Sequence, residues 1–393
     1  MQPLFVFCAD LHLEDGSWST RPGIYGDSYY SFDQIIDYCI LHRLPLILGG
    51  DILDRKQNLS RPVAKLCAGM SRMQQHDIPV YYIQGNHEYD RNSPWLGVHN
   101  WPIHLHMQTV LFGAAVRVYG LDWLPRGDIQ AAFKSVPPDT DMLVTHQVWQ
   151  DLMGNVGRPE CALTDVHHAQ VVLAGDFHVT KIITGVNAQN HSVELVSPGS
   201  TTMQDISEDP QKFFFVVSAV GDGTYNFLPQ PLITRNFLSY KVQTAEELDT
   251  LCAGKLAEDI AAATAAAREQ NAAEDIQKPL VRVKFNKELP DAYVRLTAAV
   301  GASAHLFCDA ITEKTRDAQK QTNRATTKND LLHTLAEILG SDTDAYKFAQ
   351  TILHAPNPKR AVEAHFQSCV KGTTHAIVET GSAELGAPSE EVV

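Results

Sequence analysis

Five apolar runs, each ending in side chains that bind cations, constrain this chain more than any other feature of it. Leu4-Phe5-Val6-Phe7 leads through Cys8-Ala9 into Asp10-Leu11-His12. Leu46-Ile47-Leu48 passes Gly49-Gly50 and reaches Asp51, with Asp54 and Arg55 close behind. Val80-Tyr81-Tyr82-Ile83 passes Gln84-Gly85 into Asn86-His87-Glu88. Met142-Leu143-Val144-Thr145 ends at His146, and Val171-Val172-Leu173-Ala174-Gly175 ends at Asp176-Phe177-His178. Short β-branched and aromatic runs bounded by glycine read as buried strands. Ligands of open sheets gather beyond the strand ends, so side chains from these distant stretches are expected to converge on one cleft. A single Asp or His at a strand end is most often a cap or a turn residue. Five in succession, each behind a hydrophobic strand, point to a metal site.

The residue types suit one kind of chemistry. Two hard divalent cations roughly 3.5–4 Å apart clamp a phosphoryl group and activate water near neutral pH. Such a site needs a carboxylate able to bridge, with imidazole and oxygen donors on either side. Glycines before Asp51, Asn86 and Asp176 let the backbone turn sharply there.

Asp10/His12, Gly50-Asp51/Asp54, Gly85-Asn86-His87-Glu88, His146 and Gly175/His178 follow the order D-x-H, G-D-x-x-D, G-N-H-[DE], H and G-H-x-H. Through these residues, over 2–230, the chain resembles the calcineurin-like metallophosphoesterases. One step departs: Asp176 stands where the pattern has a His. Gly50-Asp51-Ile52-Leu53-Asp54-Arg55, His146-Gln147 and Ser197-Pro198-Gly199-Ser200 further resemble the SbcD-type branch of DNA-repair nucleases. Members of that branch partner an SbcC-like ATPase of the SMC, coiled-coil kind. The resemblance implies an α/β fold, a two-sheet β-sandwich flanked by helices, with a small α/β capping domain and C-terminal helices. It also implies two divalent ions. Asp10, His12, Asp51 and His178 would hold one; Asp51, as the bridge, with Asn86, His146 and Asp176 would hold the other. His87 corresponds to a non-ligand that contacts the phosphate and protonates the leaving oxygen, a role imidazole suits near pH 7. Glu88 reads as a structural residue. Aspartate at 176 adds a third carboxylate, and hard oxygen ligands favour Mn²⁺, or Mg²⁺, over Zn²⁺. They also leave the second ion a weaker Lewis acid. Arg55 and Lys56 trail the bridge, and Arg21 lies in the polar loop after the first motif. All three are candidate substrate contacts, with solvated surface as the bland alternative.

Phe32, Ile35, Ile36, Cys39 and Ile40 fall on one helical face, as do Val63, Leu66, Cys67 and Met70. His104-Leu105-His106 and His167-His168 look like metal pairs, but no glycine-terminated strand leads into either, so they are expected to be structural. Residues 1–232 are expected to form the metallophosphoesterase domain and 233–312 a β-α-β-α-β capping domain that presents substrate. In the latter, Ala245 to Ala273 is helical by propensity. A polar linker (313–328), a helical pair for partner binding (329–371) and a disordered acidic tail (372–393) complete the expected order.

Acidic residues outnumber Lys and Arg by 46 to 32, a formal charge of −14. Phosphate contacts need clustered cations, so the charge argues against a strong free-standing nucleic-acid binder. Metal ions would supply positive charge in the cleft of an acidic nuclease. No stretch reaches the ~20 apolar residues of a membrane span. Met1-Gln2-Pro3 runs into the first strand, leaving no room for a signal peptide, and the seven scattered cysteines form no C-x-x-C. The expected location is the cytoplasm. The leading expectation is a Mn²⁺-dependent DNA nuclease, dimeric, acting with an SMC-like ATPase. A phosphatase or small-molecule phosphodiesterase on the same site, and a non-catalytic subunit that binds DNA ends or a partner, stay open.

Overall fold

Strand β1 (Gln2–Cys8) explains why the apolar runs are unbroken rather than alternating. Phe5 and Phe7 enter one apolar cluster, Val6 and Cys8 another, and all four are fully buried. A strand covered on both faces has no polar side to show. In the computed structural model, residues 2–14, 23–54, 60–89, 102–113, 115–154, 157–221, 223–311 and 347–348 are described. The chain divides into two compact units, 1–310 and 311–393. Apart from Lys347 and Phe348, the expected linker, C-terminal helices and tail lie outside the described residues, as do Arg21, Arg55 and Lys56.

Two six-stranded sheets dominate the first unit. In the first sheet, β1, β2 (Leu46–Gly49), β3 (Val80–Ile83) and β4 (Ile103–His104) run parallel. Antiparallel β11 (Phe213–Gly221) and β12 (Thr224–Pro231) extend it beyond β1. The second sheet has β6 (Val116–Leu121), β7 (Met142–His146), β8 (Val171–Gly175) and β10 (Ser192–Ser197) parallel. Antiparallel β5 (Thr109–Phe112) and β9 (Lys181–Val186) form its edges. Phe5, Phe7, Ile47, Val144, Leu173 and Phe215 pack between the sheets. Outside the first sheet, α1 (Asp27–His42) and α2 (Ser60–Gln75) bring Phe32, Ile36, Leu66 and Met73 against Val6, Leu46 and Leu48. Outside the second, Ile129 and Phe133 of α3 (Arg126–Phe133) and Leu152 of α4 (Gln150–Met153) cover Leu143 and Val172. This is the expected α/β arrangement of two large sheets flanked by helices. The two edge strands β9 and β12 leave little mark in the sequence; each carries exposed apolar residues, Ile182 and Leu228 among them, on faces that bury little.

A three-stranded sheet follows, β13 (Phe237–Val242), β14 (Leu280–Asn286) and β15 (His305–Ile311), with β14 central. Helices α5 (Ala245–Thr250), α6 (Leu256–Glu269) and α7 (Ala292–Val300) connect the strands and bury Leu248, Ile260 and Leu296 against Val281 and Val283. Thr244 and Glu247 form a reciprocal capping box at the start of α5. The alanine-rich segment is not one helix. It is interrupted over Leu251–Lys255, where Gly254 takes φ 150°, a conformation closed to most L side chains. Among the described residues no helix is long and apolar enough to cross a membrane.

Arg235 joins this third sheet to the first. It is 3% exposed, and its guanidinium donates to both Asp27 carboxylate oxygens (2.8 and 2.9 Å), to Lys278 O (2.7 Å) and to Tyr25 O (3.0 Å). Removing one partner of a buried ion pair strands the other, at about 3–5 kcal/mol. Arg235→Ala is therefore expected to lower stability by about that amount, read from urea unfolding.

Candidate metal centre

The parallel strands of both sheets deliver their C-terminal loops to one place. Asp10 and His12 follow β1, Asp51 follows β2, Asn86 follows β3, His146 ends β7, and Asp176 and His178 follow β8. All seven expected ligands come together. His146 Nε2 lies 3.3 Å from Asp51 Oδ2, 3.2 Å from Asn86 Oδ1, 3.8 Å from Asp176 Oδ1 and 3.9 Å from Asp10 Oδ1. His12 Nε2 lies 3.3 Å from His178 Nε2 and 3.8 Å from Asp51 Oδ2, and His178 Nε2 is 3.8 Å from Asp10 Oδ1. Among the described residues three groups emerge, each tight enough to hold an ion: Asp10-His12-His178 and Asp10-Asp51-His146, which both consist of expected ligands, and His12-Asp54-His87 beside them. Asp51 Oδ2 reaches the first two, as a bridging carboxylate would.

The loops achieve this at a conformational cost. Asp10, His12, Asp51 and Asp176 all have φ between 43° and 77°. Left-handed backbone at non-glycine residues costs of order 1–3 kcal/mol each and persists only where the surroundings impose it. Gly50 takes φ 93°, and a Cβ there would overlap the His146 ring.

Each imidazole is oriented from behind. His146 Nδ1 donates to Gly49 O at 2.8 Å, and His178 Nδ1 lies 3.0 Å from Glu208 Oε1. His12 Nδ1 lies 3.2 Å from Asp54 Oδ1, an ion-pair distance without hydrogen-bond geometry. Tying Nδ1 to an outer acceptor turns Nε2 inward, the arrangement metal-binding histidines use. Glu88 is buried. Its two oxygens accept from Leu53 N (2.6 Å) and Gly85 N (2.9 Å), so it clamps the second motif to the third, consistent with a structural residue.

The donor set passes a test of fit for cations. With Nδ1 spent on Gly49, neutral His146 offers Nε2 as an acceptor. The Asn86 amide, with its NH2 group turned toward them, donates to His146 Nε2 and to Asp51 Oδ2, each at 3.2 Å. Three carboxylates, Asp10, Asp51 and Asp176, lie within 3.9 Å of His146 Nε2, a concentration of negative charge that a cation would neutralise. The electrostatics agree. Burial raises the Asp10 carboxyl and Asp51 adds to that, against the pull of His146 and His178. Burial likewise pushes Asp176 up, with Asp10 and Asp51, to about 6. Burial opposes a charge on His146, but Asp51 and Asp10 outweigh it and hold the ring well above its usual range. Burial also works against the Asp51 carboxylate, yet His146, His12 and His87 keep it far below the ordinary value. Protons occupy what cations would neutralise.

His87 stands beside this group. Its ring meets the His12 ring edge-on at 4.8 Å, Nε2 is 3.8 Å from Asp51 Oδ2, and Nδ1 is bonded to Asp54 O. The side chain is 35% exposed, so Nε2 is accessible to a ligand. The Ser197–Ser200 turn spends its polar groups on the chain itself. Ser200 N donates to His178 O, Gly199 N to Ser197 Oγ, and Ser197 Oγ bonds Phe177 O. It acts as a turn that braces His178. The H-x-H pair is also structural: His104 Nε2 sits on both Asp122 oxygens (2.9 and 3.0 Å), Asp122 N donates to His106 Nδ1, and Asp122 Oδ1 accepts from Gln84 N.

Asp54, Glu208 and Lys212 are residues of the site that the sequence does not assign. Asp54 belongs to the second motif, where its residue type alone gives it no separate role. Glu208 and Lys212 carry a faint signal, an acid–base pair four apart just after the Ser-Pro-Gly-Ser turn.

Residues 3–180 match the calcineurin-like phosphoesterase family. That segment is a calcineurin-like phosphoesterase domain. The family is one of metal-dependent hydrolases, and its fold binds two divalent metals. The chain is also similar to two curated proteins named DNA double-strand break repair protein Mre11. The one from Methanosarcina acetivorans is 24% identical over 226 residues, covering 54% of this chain and 36% of the relative. The one from Methanosarcina mazei is 25% identical over 230 residues, covering 54% and 35%. The matched stretch thus spans about a third of the relatives' length. Within the phosphoesterase domain, the Asp176 carboxylate takes the His position of the last motif and still faces His146.

Proposed function

We propose that the chain is a two-metal DNA nuclease, hydrolysing phosphodiesters at the cluster around Asp51. The observation that carries this reading is the meeting of carboxylates and imidazoles from four strand ends in two overlapping groups, Asp10-His12-His178 and Asp10-Asp51-His146, the ligand atoms of each group within 4.8 Å of one another. The nuclease part is supported by the two relatives, both named for double-strand break repair. Asp10, His12, Asp51 and His178 would hold one ion and Asp51, Asn86, His146 and Asp176 the other, Mn²⁺ in both places. When bound, such a pair polarises a phosphoryl oxygen and lowers the pKa of water. The protein's own part is to orient the donors and to supply a proton. His87 donates through Nδ1 to the Asp54 carbonyl, so the proton for a leaving oxygen would come from Nε2 of the doubly protonated ring, which the transfer returns to its neutral Nδ1–H form. Residues 1–232 would be the catalytic domain and 233–312 a cap that guides DNA. The 329–371 region would engage a coiled-coil ATPase of the SMC kind, in a homodimer working in the cytoplasm.

The deciding assay offers linear duplex and single-stranded DNA beside a chromogenic phosphodiester and a phosphomonoester, with Mn²⁺. DNA and diester cleavage is expected. Turnover of the monoester alone makes it a phosphatase, and no turnover with fewer than one bound Mn²⁺ makes it a non-catalytic subunit. For the partner, co-purification of a long coiled-coil ATPase is the expected result.

Asp176 gives a pH prediction. Its carboxyl sits near 6 when no cation is bound, so protons compete with the ion below that pH. The Asp176 component of Mn²⁺ affinity is expected to be present above about pH 7 and lost as pH drops through about 6, with proton competition at His146 setting in at higher pH. Asp176→Asn removes that component of the pH dependence in a calorimetric titration, while Asp176→His shifts preference toward Zn²⁺.

A further inference from the structure

Lys212 is 3% exposed, and ammonium groups are almost never so buried unless paired. Its Nζ donates to Glu208 Oε2 at 2.7 Å and to Ser200 Oγ at 2.9 Å. The same Glu208 oxygen accepts from Gln204 N at 3.2 Å. The other oxygen, Oε1, faces His178 Nδ1 at 3.0 Å. An ammonium and a backbone amide therefore fix one end of the carboxylate, leaving the other end a single task. A buried ion pair of this kind is weak evidence for stability, because well-packed apolar residues of similar volume often serve as well or better. Its retention here calls for another reason. The His178 side chain is 31% exposed, so packing leaves the ring room to turn, and a hydrogen bond at Nδ1 is what keeps Nε2 beside His12 and Asp10.

We propose that Glu208 and Lys212 are positioning residues of the metal centre: Lys212 immobilises the Glu208 carboxylate, and Glu208 holds His178 with Nε2 directed at the ion shared with Asp10 and His12. The inference rests on the two-ion reading of the cluster. Outer partners of metal-bound histidines typically account for about 10–100-fold in metal affinity.

The test is Mn²⁺ titration of the full chain by calorimetry, with thermal unfolding of the metal-free protein alongside. Wild type is expected to bind two ions. Glu208→Gln should weaken one of them by about 10–100-fold and leave the other within about twofold, while its metal-free midpoint falls because the buried Lys212 ammonium is left unpaired. Lys212→Met alone strands a buried carboxylate and risks misfolding. The Glu208→Gln/Lys212→Met double variant has no stranded charge and should show the same loss as Glu208→Gln, because Lys212 acts only through Glu208. Unchanged affinity for both ions in Glu208→Gln overturns the assignment. So does equal weakening of both ions, the mark of a merely structural pair. Fewer than two ions on the wild type removes the two-ion reading itself, and this inference with it.

Discussion

Asp51→Asn is expected to lose Mn²⁺ binding at both positions and, with it, turnover. The substitution is nearly isosteric. His87 N donates to Asp51 Oδ1 at 3.0 Å, and an amide oxygen at that place accepts the same bond. What disappears is the charge that faces His146 at 3.3 Å, His12 at 3.8 Å and His87 at 3.8 Å. Loss of an outer partner alone costs about 10–100-fold in affinity, so loss of the shared carboxylate should exceed about 100-fold. Stability separates this from misfolding. Without a cation the imidazoles of His146, His12 and His87 keep the Asp51 carboxylate charged, so the metal-free variant should melt below wild type yet still unfold in one cooperative transition. Wild type should gain about 2.7 kcal/mol for each ion with Mn²⁺ at 100 times its dissociation constant, and the variant should gain almost none. Calorimetry and thermal unfolding, each with and without Mn²⁺, read both halves. A variant that still binds two ions would remove Asp51 from the bridging role.

Gly85→Ala is the second large effect, and it works by volume rather than charge. Gly85 precedes Asn86, and a Cβ on it would overlap the Asp51 carboxylate and the Asp51 backbone nitrogen. Neither has room to withdraw. Asp51 is 2% exposed, and Gly85 N is itself held by Glu88 Oε2 at 2.9 Å. Overpacking a filled interior costs typically about 1–3 kcal/mol, and here the displaced group is the central carboxylate. Expected are a stability loss of that size in urea and a metal affinity reduced together with it. Full Mn²⁺ binding by a folded Gly85→Ala protein would mean that the second and third loops are looser than the hydrogen bonds of Glu88 imply.

Much of the site is legible in the order of residues, because every ligand sits at or just past the end of a buried strand. The run before Asp10 is apolar at every position since β1 is buried on both faces, and the same reason makes the runs before Asp51, His146 and Asp176 stand out. Other parts leave no such mark. Glu208 lies 30 residues from His178 and meets it only because the Ser197–Ser200 turn folds back under the ligand loop. His104 and His106 look like ligands at the level of residue type, yet the partner that claims them, Asp122, comes from the end of β6. Edge strand β9, reading Lys-Ile-Ile-Thr-Gly-Val, lacks the double burial that flags its neighbours.

By itself, then, the order of residues determined the buried strands that carry the donors, which side chains close them and that those side chains share hard-donor chemistry. These properties rest on short-range periodicity and on residue type. Only the tertiary structure decided how the donors are oriented: which imidazole nitrogen turns inward, which carboxylate stands between two groups, and which distant acid holds a ring in place. Those choices depend on contacts between segments far apart in the chain, paired by the packing of two sheets, and a local pattern carries no trace of a partner it meets only after folding.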